Sequence, residues 1–525
     1  MLESNIFTPG VYINEINAFP NSVVAVATAI PAFIGYTPQA SYEGISYTNV
    51  AQAVTSWAEF QAIYCLPNPA QPAPPMQQYS PQYYLVPQSA KPVNQDYVVL
   101  NNTYYAVVPD PNTVYYLYNS VQMFFQNGGG TAYIVSVGSY GPPSGKPMTP
   151  STQIVNPNVQ LTDLTGGLAL LVNEEEPTMY ICPEATLLSV ADNATLMQAM
   201  LLQCSNMMTA ISIFDIIGGR NPDPILYTND ITTFRSGTGS LGLSYGTAYY
   251  PFIGTTITQP QNVNYTNLFG GDVKQRLPIL SPATAPDNVT VSILANIQAA
   301  PTALTTTQYN NALLIASAAY SQIMTTVITA INMLPPSGAM AGVMTTIDNQ
   351  FGVWEAPANV SIVGASTVPI KISDTTQAGL NVDALTGKSI NAIRSFTGQG
   401  ILVWGARTLD GNSGDWKYLS VRRTAMMIEE SCKLAARAYV FQPNTKNTWE
   451  AVKAMISGFL MTIWQEGGLQ GASPSDAYSV NCGLGTTMTG NDILGGFMIV
   501  SVLVAIARPA EFIVINFEQE MPVSS

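Results

Sequence analysis

Residues 178–182 and 210–217 are largely apolar runs without alternation, and the Met- and Leu-rich stretch 191–206 between them is long enough for a helix of about four turns. A strand with one wet face alternates polar and apolar residues. A strand without alternation must be covered on both faces. Strand, helix and strand in this order predict parallel strands under two helical layers. The expected fold class is therefore α/β (mixed α+β), and 525 residues exceed what one ordinary core holds, so the chain is multidomain.

Residues 8–17 follow a Pro-Gly breaker and are strand-like, 22–36 read as a buried strand ending at Gly35, and 51–64 as a helix. Residues 65–117 change character, with Pro, Gln, Tyr and Asn dominant. They read as an inserted excursion on the outside, partly loop and partly Tyr-rich strands over 96–108. A short helix over 119–126 stops at Gly128-Gly-Gly130 before a strand at 131–137. Residues 305–333 read as one long helix ended by Pro335-Pro336. A helix over 417–441 puts Val421, Ala425, Ile428, Cys432, Ala435 and Tyr439 on one face, with Glu429 and Lys433 as an i,i+4 pair. Asn447 and Glu450 have capping-box spacing for a second helix that turns Val452, Ile456, Phe459 and Ile463 inward. The apolar run 495–507 is too short for a bilayer, which needs about 20 residues, and reads as a buried strand. Residues 511–517 form a last strand.

Charge excludes several functions. Residues 1–390 hold 8 basic and 21 acidic side chains, and 391–525 hold 10 and 11. An acidic chain lacks the basic stripe that phosphate binding needs, so no nucleic acid is expected as a partner. Histidine is absent from the whole sequence. That removes Ser–His–Asp and Cys–His catalysis and the ordinary base near neutral pH. Five widely spaced cysteines without a CxxC pair argue against structural zinc and suit reduced, buried thiols. The first residues have neither a basic segment nor an apolar core, so no signal peptide is expected and synthesis in a bacterial cytoplasm is. No direct membrane insertion is expected.

Three features invite a site and are better explained otherwise. Gly237-x-Gly239-x-x-Gly242 has the spelling of a dinucleotide loop, but it leads into an aromatic run and a proline rather than a helix. Glu174–Glu176 are three adjacent carboxylates without other placed ligands, which suits a solvated turn. The Tyr run 245–250 suits packing. No catalytic residue, metal or cofactor is assigned.

Several motifs in order carry a resemblance. They are Thr8-Pro-Gly-Val-Tyr-Ile-Asn-Glu15, the block 124–135, Ala248-Tyr-Tyr-Pro-Phe252, Pro335-Pro-Ser-Gly-Ala-Met-Ala-Gly342 and the block 352–359. Three more follow at 390–396, 400–408 and 416–423. Together they resemble the tail sheath proteins of contractile phages and related injection systems, and residues 65–117 are not matched. The resemblance implies an inner domain from N- and C-terminal parts, a subtilisin-like α/β middle domain without catalytic residues, and an inserted outer domain. The expected segments are an N-terminal arm (1–20), inner domain (21–64), outer insert (65–118), middle domain (119–349), inner domain again (350–510) and C-terminal arm (511–525). It implies a homo-oligomer of stacked six-fold rings in a helical sleeve. The implied partners are an inner tube protein, a baseplate, and tail terminator or cap proteins. Contraction would drive the tube through a target envelope.

The arms have a physical reading too. A strand without a local partner presents unpaired N–H and C=O groups, and a strand added from another chain satisfies them. Val11, Tyr12, Ile13 and Ile16, and Phe512, Ile513, Val514, Ile515 and Phe517, lie on such strands; pairing within the same chain is the alternative. The basic cluster Arg422, Arg423, Lys433, Arg437, Lys446 and Lys453 is a candidate tube-facing or interface surface, or else supports the core. A non-contractile filament or surface-layer protein and a subtilisin-fold hydrolase are the competing readings.

Overall fold

In a computed structural model that describes residues 23–66, 81–150 and 153–514, nine strands of the described residues join in one mixed sheet. Its order is Val360–Ser361, Gly400–Trp404, Asn391–Phe396, Gly246–Tyr250, Ile211–Asp215, Met179–Ile181, Pro31–Thr37, Ala132–Ser139, Ala51–Val54. The six strands from Asn391–Phe396 to Ala132–Ser139 run parallel, and antiparallel strands close both sides. Strands Pro31–Thr37, Ile211–Asp215 and Gly246–Tyr250 are buried at every position, as strands covered on both faces are.

Neighbouring residues of one strand show how that burial arises. The Phe33 ring meets Phe124 of helix Leu117–Gln126 at 5.7 Å between centroids. Next to it, Ile34 closes on Gly167 of helix Leu161–Leu170, where an added Cβ would lie 2.9 Å from Ile34 Cγ2. Successive strand residues point to opposite faces, so these two helices cover opposite faces of the sheet. Helix Ser337–Phe351 then crosses Leu117–Gln126 backbone to backbone. A Cβ on Gly338 would stand 2.3 Å from Ser120 O, and one on Gly342 would stand 2.5 Å from Phe124 O.

Contacts divide the chain into two units. The larger holds Ala27–Met426 and Arg508–Ser525, and the smaller holds Met1–Val26 and Met427–Ala507. The sheet takes strands from 21–64, 119–349 and 350–510 alike. Composition marks where the chain changes character; strand pairing over hundreds of residues leaves no local mark.

Three expectations change. The first part of 51–64 is strand Ala51–Val54, and the helix starts at Trp57 where Ser56 accepts from Glu59 N. The Tyr-rich strands 96–108 form as Tyr97–Leu100 and Thr103–Pro109, joined at Asn101-Asn102, both in the left-handed region that a two-residue hairpin requires. They are not an exposed excursion. Tyr83, Val98, Leu100 and Val107 are buried, and helix Ala318–Ile331 packs on this sheet. The single helix over 305–333 is two, Thr306–Ala316 and Ala318–Ile331, bent by 118°. Ser317 leaves helical geometry between them and caps the second by accepting from Tyr320 N. Among the described residues no single helix is long and apolar enough to cross a membrane.

Candidate assembly surfaces

In the smaller unit, helix Lys446–Gln465 buries Val452, Ile456, Phe459 and Ile463 as its periodicity demands. The capping box does not form. Thr445 occupies the N-cap position, and Glu450 instead pairs with Lys453 at 2.8 Å. The helix packs on an antiparallel ribbon, Tyr478–Asn481 with Ser501–Val504, in the register Tyr478↔Val504 to Asn481↔Ser501. Among the described residues no third strand joins it. A two-stranded ribbon is marginal alone, and each outer edge offers backbone groups to a further strand. The expected buried strand over 495–507 is thus corrected. Ser501–Val504 alternates exposed and half-buried, and Leu494, Phe497 and Leu503 are exposed. Apolar content made the run look like core, but among the described residues no layer covers its outer face.

The chain re-enters the larger unit at Arg508, which donates to Gly414 O at 2.8 Å. Glu511 then enters a polar pocket. Its Oε2 lies 2.6 Å from Arg407 Nη2, its Oε1 3.0 Å from Arg407 Nε and 2.6 Å from Asn381 Nδ2, and Tyr418 Oη donates from 3.3 Å. Burial opposes the Glu511 charge, but the Arg407 and Asn381 hydrogen bonds outweigh it and hold the carboxyl below its usual range. Phe512, Ile513 and Val514 follow at 72%, 79% and 81% exposure, in no strand. Val11, Tyr12, Ile13, Ile16, Ile515 and Phe517 lie outside the described residues.

The basic cluster does not stay together. The first half of helix Leu419–Ala436 is buried on all sides rather than along one stripe, and Arg422 and Arg423 are buried with it. The Arg422 guanidinium lies over the rings of Tyr245 (3.8 Å) and Trp416 (4.5 Å). Arg423 binds Asp348 at 2.6 Å and donates to Thr28 O at 3.0 Å. These two arginines are packed inside the larger unit, as the alternative that they support the core expects. Lys433, Arg437 and Lys446 are exposed, Lys453 is half-buried, and Lys433 pairs with Glu430 at 2.9 Å. No periodicity separates the two groups, because partners such as Asp348 and Trp416 are set by tertiary packing.

The remaining polar chemistry is closed. Gly237-x-Gly239-x-x-Gly242 joins helix Thr228–Gly237 to strand Gly246–Tyr250, the reverse of the strand-to-helix order a phosphate loop needs. Glu176 accepts from Tyr133 Oη at 2.7 Å, and no group of described residues has the make-up of a metal site. Two carboxyls cap helices from inside the core. Glu184 accepts from Leu117 N at 2.8 Å, and Asp215 accepts from Ser337 N at 2.9 Å and Ser337 Oγ at 2.5 Å. Burial pushes Glu184 up to about 8 and Asp215 up to about 7. Ser337 is fully buried, so its contact with Asp215 is a structural cap without access to a substrate.

The larger unit is a mixed α/β unit, and the smaller carries a two-stranded ribbon that no further described strand joins. Residues 412–520 match the phage tail sheath C-terminal domain. A tail sheath protein of Vibrio phage KVP40 is 25% identical over 35% of this chain, and one of Burkholderia phage BcepMu is 27% identical over 26% of it. These matches cover 26% and 29% of the two proteins' own lengths. The contracted helical sheath of the anti-feeding prophage is 25% identical with a TM-score of 0.57, over 98% of this chain and 99% of that one. The contracted sheath of the extracellular injection system PVC shares the fold at TM-score 0.59, with 24% identity over 98% and 99%. Residues 412–520 thus match the tail sheath C-terminal domain, and over nearly its whole length the chain is similar in fold to contractile sheath proteins.

Proposed function

We propose that this chain is a structural subunit that polymerises into a helical sleeve around an inner tube and contracts to drive the tube through a target envelope. The open ribbon Tyr478–Asn481/Ser501–Val504 carries the proposal, because it pairs with no further strand among the described residues. The exposed apolar residues Phe512, Ile513 and Val514 supply a matching donor, joined in the proposal by Val11, Tyr12, Ile13, Ile16, Ile515 and Phe517. Each six-residue arm strand spans about 20 Å, enough for several ladder hydrogen bonds. Donor and acceptor are different surfaces, and heterologous contacts that do not close build helical filaments.

The proposal makes the protein a non-enzyme, with stacked six-fold rings that meet a baseplate and a tail terminator. Lys433, Arg437, Lys446 and Lys453 remain candidates for contact with the tube, since exposed ion pairs of about 0–1 kcal/mol suit a surface that must release it. Electron microscopy of the purified protein under polymerising conditions tests the reading. Striated hollow sleeves support it, and a persistent monodisperse particle sinks it.

A further inference from the structure

We infer that Arg407 and Glu511 form a clip that fixes the root of the C-terminal tail to its own subunit, so that the donor strand starts at Phe512. The inference rests on the sleeve reading and names the residue that positions its donor.

Glu511 is the last tail residue of the described chain with side-chain partners in the larger unit. Its carboxylate takes hydrogen bonds from three residues, Arg407, Asn381 and Tyr418. The pocket is built for it. Arg407 is 4% exposed, its Nη1 donates to Asn381 O at 2.9 Å, and its own N–H and C=O are held by Asn391. The guanidinium is thus fixed before the carboxylate arrives. A bidentate Arg–carboxylate pair also sets orientation, which a point contact does not. One residue later the chain turns apolar and exposed. The change from a fully bonded carboxylate to bare Phe512 marks where the subunit ends and the linker begins.

A tethered donor binds as an intramolecular partner at an effective concentration set by its free length. Releasing the clip would add the 509–511 stretch to that length and let the donor slip in register. A strand slipped by one residue turns its apolar side chains to the wrong face.

The test uses the full chain. Nitroxide labels on Val514→Cys and Thr232→Cys, both in the larger unit, report the spread of tail positions in the monomer by pulsed electron spin resonance. The native sequence should give one narrow distance distribution. Glu511→Gln and Glu511→Ala should broaden it about twofold or more and lower sleeve yield by about tenfold, while the unlabelled variants still unfold cooperatively. Glu511→Gln keeps the side chain's size, so an effect there isolates the charge. A native distribution already as broad as that of the variants overturns the clip and leaves the sleeve reading standing. Broadening without loss of sleeves also overturns it, since the root would then not position the donor. Failure of the native chain to build sleeves overturns the functional reading instead.

Discussion

Arg423 Nη2 lies 2.6 Å from Asp348 Oδ2, with both side chains almost wholly buried at 3% and 4% exposure. Asp348 also accepts from Thr28 Oγ1 at 2.5 Å, so one carboxylate ties helix Ser337–Phe351 to the N-terminal approach of the sheet and to helix Leu419–Ala436. Removing one partner strands the other charge away from water, which costs about 3–5 kcal/mol. Arg423→Ala should therefore lower the denaturant midpoint of the larger unit sharply, whereas Lys446→Ala should leave it within about 0.5 kcal/mol of native.

Acidification should stabilise this protein. Glu184 and Asp215 are held near 8 and 7, above their unfolded values of 4.5 and 3.8, because burial disfavours their charged forms. A group whose folded pKa is raised contributes its full stability below the unfolded pKa and loses it as pH climbs through the folded pKa. The loss spans roughly pH 4 to 8 and amounts to a few kcal/mol per group, at about 1.4 kcal/mol per unit. Tm should rise as pH falls from 8 to 5. Glu184→Gln should flatten that slope by about half. A flat or opposite slope in native protein would contradict the buried, neutral carboxyls.

Gly338 should resist even the smallest side chain. Its Cβ would meet the backbone oxygen of Ser120, which cannot rotate aside. Gly338→Ala should cost about 1–3 kcal/mol in a denaturant titration, in spite of alanine's better helix propensity.

The five thiols should be silent in the folded chain. Cys65, Cys182, Cys204 and Cys482 are buried and Cys432 is half-buried, and burial pushes Cys65 and Cys204 up to about 12 and Cys432 up to about 11. The thiolate is the reactive form. A thiol reagent at pH 8 should count fewer than one equivalent promptly, with Cys432 first to react, and five after denaturation.

Features with a local period were legible in the sequence. The runs at 178–182 and 210–217 and the stripe of helix Lys446–Gln465 announce their elements, because burial on two faces or on one writes a pattern into neighbouring residues. Features set by partners far along the chain were not. Nothing local in the sequence separates Arg422 and Arg423 from Lys433 as core or surface. Their burial depends on Trp416, Tyr245 and Asp348, which packing alone brings together. The same holds for Glu511 and Arg407, 104 residues apart. The apolar run 495–507 misled in the other direction: its pattern is that of a buried strand, and the layer that would bury it is absent from the described chain.

The central claim is strand exchange between copies. A photo-crosslinking residue in place of Ile513, in assemblies mixed from isotopically light and heavy subunits, tests it most directly. Strand exchange gives mixed light–heavy crosslinks from position 513 to Tyr478–Asn481 or Ser501–Val504 of another copy. Crosslinks confined to pairs of the same isotope, as within a single chain, would contradict it.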